Sequence, residues 1–424
     1  MKVTHRQFAL ELDKNDPLSH FRSKFVISDP KICYLDGNSL GRLPISTISE
    51  INEFITKEWG EQVVSGWAHW VDEAQTVGDL LGEATLGAAS GQVNVCDTTS
   101  VNFYQLCLAA IHARPGRKTI ITDAANFPTD RYILDGIAKQ LGLKLLIINN
   151  ENPEIAINER VTTDVLAPYL SEDVALVALE VVQYRSGARS DLKSITDQVR
   201  TFGGLVVWDA SHAVGAIELN LDENGVDLCV GCTYKYGNSG PGAPGWLYVS
   251  KGVQDELQVP IQGWFAQDAQ FEMGAVFNRV NSIRGFQIAT PPIMGIRSVK
   301  NAFAMIKEAG IDLIATKAAV GTQMMIDLYD AWLAPLGITL STPRDPMERG
   351  GHISLVHPDA AQICVALRKI SNVIPDYRTP NTIRLAISPL PTSFVEVWDG
   401  FDRLRDLVAS GRYKDVEESG SKVT

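Results

Sequence analysis

The chain has 424 residues, 45% of them apolar and 21% charged, and a formal net charge of −12. That length calls for a large core plus a smaller one, and the composition is ordinary for a globular protein. The acidic balance argues against nucleic acid or an anionic membrane face as a partner, since both need clustered Lys and Arg, but it leaves room for a small anionic ligand in a local pocket.

The first 21 residues, MKVTHRQFALELDKNDPLSHF, alternate charged and apolar side chains and hold no apolar run of signal-peptide length. No window approaches the roughly 20 apolar residues of a membrane span. Six cysteines in so long a chain make no disulfide framework, so a reducing, cytoplasmic setting is expected. Residues 1–69 lack a strand-rich pattern of their own and are expected to pack on a small C-terminal domain or on a partner subunit.

Residues 70–300 read as a large α/β domain. The runs KTIITDA, KLLIIN, VALVALEVV, GLVVWDA and GWLYVS have the continuous apolar character of buried parallel strands. Helical patterns lie between them, at 130–141 and 190–202. Strands alternating with helices predict a mainly parallel sheet. Residues 301–424 read as a smaller α+β domain. A long helical stretch, 296–336, breaks near Gly310, and the short strands HISLVHP and TIRLAIS flank the helix-like AAQICVALRKI. Ser393 to Glu396 has the S-x-x-E form of a capping box and opens a helix with Val397, Trp398, Phe401 and Leu404 on one face.

Within that frame a few polar residues stand at strand ends. GLVVWDASHAVGA ends an apolar run at Asp209, with His212 three residues on. A carboxylate there lies where α/β sheets bind ligands, or else it caps the next turn. Lys235 follows the apolar run GVDLCVGCTY, either as a site residue or as a lysine extending past two tyrosines into water. An acid and a lysine on one sheet edge suit pyridoxal 5'-phosphate, whose aldehyde takes a lysine and whose ring nitrogen needs a carboxylate. VNVC leads into Asp97, Thr98, Thr99 and Ser100 before an amphipathic helix, an arrangement that binds phosphate or is an ordinary N-cap. NFPTD offers Phe127 to an aromatic ring and Asp130 to a ligand, or a staple beside a cap. Cys229 and Cys232 form a C-x-x-C without the two further ligands zinc requires, and no metal site is expected. No G-x-x-x-x-G-K-[ST] and no G-x-G-x-x-G after a strand points to a nucleotide.

The segments YLDGNSLGRLP, TTSVN, NFPTD, WDASHAVGA, TYKYGNSGPG, GWF and SFVEVWD, in this order from about Tyr34 to Trp398, resemble kynureninase, a fold-type I pyridoxal-phosphate enzyme. The resemblance implies a homodimer with shared active sites that hydrolyses the Cβ–Cγ bond of L-kynurenine, or of a 3-hydroxylated or ring-substituted analogue, to an anthranilate and L-alanine. It implies that Lys235 carries the cofactor and moves a proton, with Tyr234 beside it as an acid and a cofactor contact. Asp209 pairs with the ring nitrogen, His212 supports the site, Thr99 and Ser100 bind phosphate, and Phe127 and Asp130 line the ring. Trp264 and Thr290 correspond to contacts supplied by the neighbouring subunit, and Arg384 to the arginine that grips the substrate carboxylate. Three positions depart from the family pattern. Ala266-Gln267 stands where Gly-His is usual, Glu180 where Ser or Thr is usual, and Pro391 in place of a tyrosine. These predict an altered substrate shell. β-Elimination or transamination of a small amino acid on the same scaffold is the competing reading.

Overall fold

The computed structural model describes residues 1–150 and 160–417. In chain order its strands are β1 (Cys33–Tyr34), β2 (Val93–Val95), β3 (Thr119–Asp123), β4 (Lys144–Ile148), β5 (Val174–Glu180), β6 (Leu205–Asp209), β7 (Leu228–Gly231), β8 (Trp246–Val249), β9 (Thr339–Leu340), β10 (His352–Val356), β11 (Val373–Ile374), β12 (Asp376–Arg378) and β13 (Thr382–Ala386). Seven form one sheet in the order β2-β8-β7-β6-β5-β3-β4, four form a second in the order β12-β13-β10-β9, and β1 pairs with β11.

The large sheet is parallel from β4 through β3, β5 and β6 to β7. Every residue of β3, β5, β6 and β7 is buried, because side chains on both faces meet covered cores. Val206 and Trp208 point into one apolar cluster, Leu205 and Val207 into another, the period-two alternation of a strand between two layers. GWLYVS, expected among the parallel strands, is antiparallel to both β7 and β2. The Cys232–Gly245 connection contains no helix, and without a crossover the chain must return alongside β7 in the opposite sense.

The expected helix break is present. One helix runs Ile293–Ala309 and the next Ile311–Leu328, with Gly310 between them at φ +83°, a conformation that suits a residue without Cβ. The second sheet is antiparallel, and helices Ala360–Ile370 and Phe394–Ser410 share a core with it that includes Ile353, Leu355, Leu385 and Phe401. Only half of the capping box forms. Ser393 Oγ accepts from the Glu396 N–H at 3.1 Å, but the Glu396 carboxylate turns away to accept from the Tyr34 N–H at 2.8 Å and from Arg42 and Arg22. Two guanidinium groups outcompete one backbone N–H for a buried carboxylate.

Those contacts also fasten the N-terminal residues to the C-terminal part of the fold. Asp13 accepts from the N–H groups of Phe394 and Val395 at 2.7 and 3.0 Å, capping that helix from outside. Asp16 meets the buried ammonium of Lys317 at 2.7 Å. No helix among the described residues is long and apolar enough to cross a membrane.

The Asp16–Lys317 pair yields a stability prediction. Removing one partner strands the other charge in a dry site, so Asp16→Ala should lower the unfolding free energy by about 3–5 kcal/mol. The double change Asp16→Leu with Lys317→Met should recover most of it. Denaturant midpoints of the three proteins check this, and a loss below about 1 kcal/mol in the single variant would mark the pair as inert.

Candidate active site

Because β3, β5, β6 and β7 run parallel, their carboxyl ends meet at one edge of the sheet, the edge where such sheets bind ligands. That edge is acidic. Asp123 ends β3, Glu180 ends β5 and Asp209 ends β6, with Glu180 and Asp209 directly paired in register. Asp130, from helix Pro128–Leu141, joins them and is only 3% exposed. Its Oδ2 has no hydrogen-bond partner. Burial, then the neighbouring Asp209, holds the Asp130 carboxyl well above the usual range. Burial with Asp209, Asp123 and Asp130 does the same to Glu180, and burial pushes Asp123 up to about 7. Three of the four acids are therefore held above the usual carboxylate range, since like charges cannot all ionise in a low dielectric. Glu180, a departure from the family pattern, is pushed toward its neutral form by burial and by these neighbours.

The cation that faces this group is Lys235, four residues past β7. Its Nζ lies 2.8 Å from His212 Nε2. The turn carrying His212 is set by Asp209, whose Oδ1 accepts from the Ser211 N–H at 2.7 Å, and Ser211 Oγ accepts from the Cys232 N–H at 3.3 Å. The loops after β6 and β7 are thus stitched together just below the lysine. Cys229 and Cys232 are both buried free thiols. Tyr234 is half-buried, and Cys232 followed by burial holds its hydroxyl protonated. From the far side, the N–H of Gly41 donates to the Tyr234 carbonyl at 2.8 Å. A Cβ on Gly41 would lie 2.4 Å from the Lys235 carbonyl oxygen, so only glycine allows this crossing.

Two further features fit pyridoxal phosphate to the edge. Thr99 and Ser100 open helix Thr99–His112, while Thr98 is the cap, accepting from the Val101 N–H at 3.3 Å. The end of the lysine loop reaches this helix start because Gly245 has no Cβ, which would sit 2.8 Å from the Thr99 nitrogen. One continuous piece of backbone thus joins the lysine to the helix N-terminus, where a phosphate would find free N–H groups. Phe127 immediately precedes helix Pro128–Leu141, is 36% exposed, and meets the Tyr184 ring edge-on at 5.4 Å. The unpartnered Asp130 oxygen and the Asp209 carboxylate at the end of β6 are acids of the kind a pyridoxal ring nitrogen would need.

Arg384 lies on β13 of the second sheet and is fully buried. It is not a free fork. Asp376, its cross-strand partner on β12, takes Nε and Nη2, the Tyr184 carbonyl takes Nη1, and Ser39 Oγ lies 3.3 Å from Nη2. Its bond to the Tyr184 carbonyl, and the contact of the Tyr184 ring with Phe127, tie Arg384 to the loop after β5 at this edge of the sheet. Sequence reasoning missed Asp376. The available signal was the Thr379-Pro380-Asn381 turn, about which residues 376 and 384 are symmetric. Trp264 is 43% exposed, its ring packing on Phe265 and Phe271, and Thr290 is exposed on the segment before helix Ile293–Ala309. Neither has a contact with Lys235, Asp209 or His212 among the described residues. Gln267 spends both ends of its amide on its own loop, accepting from the Asn278 N–H at 2.6 Å and donating to the Val276 carbonyl at 3.4 Å.

Glu180 generates a prediction in which the sign follows from linkage. Its folded carboxyl binds a proton more tightly than the unfolded one, so folding takes up a proton as pH rises past the unfolded pKa of about 4.3. Its contribution to stability is full below that pKa and falls as pH rises toward the folded value. Glu180→Gln should remove this fall, flattening the pH dependence of stability above about pH 4.3. Unfolding free energies of both proteins at pH 5 and pH 7 measure it, and parallel pH profiles would refute it.

Comparison with known proteins agrees with this geometry. The family model described as the kynureninase C-terminal domain matches residues 314–404. The chain is 34% identical over 415 residues to the kynureninase of Pseudomonas fluorescens, covering 96% of each chain. It is 34% identical over 419 residues to that of Burkholderia pseudomallei, covering 97% of each. Among solved structures, a cysteine desulfurase from Thermococcus onnurineus superimposes with a TM-score of 0.76 at 17% identity, over 95% of this chain and 98% of that one. A cystine C–S lyase solved with cysteine persulfide does so with a TM-score of 0.74 at 17% identity, over 89% and 98%. These structural likenesses establish a fold-type I scaffold, and the full-length similarity to the Pseudomonas and Burkholderia enzymes establishes the rest: the chain belongs to the kynureninase family.

Proposed function

We propose that the protein is a pyridoxal-phosphate-dependent hydrolase that cleaves the Cβ–Cγ bond of L-kynurenine, or of a 3-hydroxylated or ring-substituted analogue, to an anthranilate and L-alanine. The observation that carries the reading is the convergence of Lys235, His212 and Asp209 at the sheet edge with Arg384 from the second sheet. Pyridoxal phosphate, when bound, supplies an electron sink for the pair left by bond breaking at the substrate. Lys235 Nζ carries the cofactor and shuttles the α-proton, held in line by His212. Asp209 keeps a proton on the ring nitrogen. Thr99 and Ser100 bind the phosphate, and Phe127 and Asp130 line the ring. Arg384, preset by Asp376, takes the α-carboxylate, the use to which its planar fork is suited. Water adds at the γ-carbonyl, and the Tyr234 hydroxyl, kept protonated by its surroundings, delivers a proton to the β-carbon. Exposed Trp264 and Thr290 support a homodimer in which each reaches the neighbouring subunit's site. The free, buried state of all six cysteines supports a reducing, cytoplasmic setting.

Incubation of the cofactor-loaded protein with kynurenine and with 3-hydroxykynurenine should release alanine and the matching anthranilate in equal amounts. Pyruvate or ammonia in place of alanine would refute the hydrolytic reading. Borohydride reduction followed by peptide mapping should fix the cofactor to the peptide that contains Lys235, and a label on any other lysine removes Lys235 from its role.

Asp209→Ala should lower kcat/KM by about 10²–10³-fold, the scale of losing one preorganised electrostatic partner, while the far-ultraviolet circular dichroism stays unchanged. Retained turnover would reduce Asp209 to a cap for the Ser211 turn.

A further inference from the structure

His352 is fully buried on β10, and neither of its ring nitrogens has a hydrogen-bond partner. Its ring centroid lies 5.6 Å from that of His212, at 55°. His212 is buried too, and its Nδ1 is likewise unpartnered. Three imidazole nitrogens left without partners in one dry place are costly unless they satisfy one another. The largest charges acting on both rings are positive, Lys235, Arg384 and Arg378, with Asp376 paired to the two arginines. Burial and these cations keep both imidazoles neutral. The Tyr184 carbonyl favours a proton on His352, yet Arg384 already donates to that carbonyl.

Neutrality makes the two nitrogens of His212 unequal. The Lys235 ammonium has only donors, so His212 Nε2, 2.8 Å away, must accept, and the ring proton must sit on Nδ1. An Nδ1–H needs an acceptor, and His352 has one to give. The two rings make no direct hydrogen bond, and a centroid separation of 5.6 Å suits a bond through one bridging water.

We propose that His352 is a positioning residue of the active site, accepting from His212 Nδ1–H through one bridging water and so fixing His212 in the tautomer whose Nε2 accepts from Lys235. The chain of contacts runs from the second sheet to the cofactor lysine. His352 pairs in register with Ala386, two residues from Arg384, so the strand pair that holds the carboxylate-binding arginine also sets the proton arrangement at the lysine. This rests on the reading of Lys235 as the cofactor lysine, which the peptide mapping tests separately.

The test is spectroscopic and needs no substrate. The proton on Lys235 Nζ in the cofactor-loaded protein is followed by absorbance against pH in wild type, His352→Phe and His352→Gln. Phenylalanine keeps the ring shape but cannot accept, so His212 is free to turn an N–H toward the lysine. The midpoint should fall by about 0.5–1 pH unit, the shift worth one net hydrogen bond. Glutamine can both accept and donate and should hold the midpoint near that of wild type. An unshifted His352→Phe, or equal shifts in both variants, overturns the proposal. Should His352→Phe not fold, ¹⁵N-histidine spectra of the wild-type holoenzyme decide instead. They should show His212 as the Nδ1–H tautomer, and an Nε2–H signal overturns the assignment.

Discussion

Charge balance at one edge of a parallel sheet governs the arrangement around Lys235. Parallel strands deliver their carboxyl ends together, and here three neighbouring strands end in acids while a fourth acid arrives from the next helix. Four ionised carboxylates in a buried space would repel one another by far more than folding could sustain. The site eases this by shifting three of them toward their protonated forms. Asp209 is set apart by its geometry, its Oδ1 accepting from the Ser211 N–H at 2.7 Å. That turn fixes its position beside the loop that carries Lys235, to which Ser211 Oγ is joined through the Cys232 N–H.

The same logic of preset partners holds on the second sheet. Arg384 is fixed in place by Asp376 and Tyr184, so its side chain keeps little of its rotamer freedom. Tyr184 belongs to the loop after β5, and its ring leans on Phe127. One residue therefore touches Arg384 through its backbone and Phe127 through its side chain.

How much of this was legible in the sequence depends on the range of the signal. Asp209 and Lys235 stand out because each closes an apolar run, a local pattern that burial enforces. The break at Gly310 was legible for the same reason. The direction of β8 was not, because an apolar run carries no sense of direction and the answer lies in the connection before it. Glu180 was visible as a departure, but the push on its carboxyl comes from acids on two other strands and a helix. Asp376 and His352 were passed over because a polar residue in a short strand pattern does not reveal what lies across it. The S-x-x-E at Ser393 was read as a local box, whereas Glu396 is claimed by Arg22, Arg42 and the Tyr34 N–H, partners more than 350 residues away in sequence.

That remoteness bears on how the chain is made. Tyr34 and Glu396 are separated by 362 residues, and Ser39 and Arg384 by 345. During synthesis the N-terminal segment emerges first, yet its partners are almost the last to appear. The large sheet, whose pairings are more local, can condense while residues 33–41 are still waiting. Since Gly41 is what crosses behind Lys235, the lysine loop takes its final shape only after the C-terminal helix has arrived. A growing chain thus completes the surroundings of the lysine loop late, once the C-terminal helix has been made.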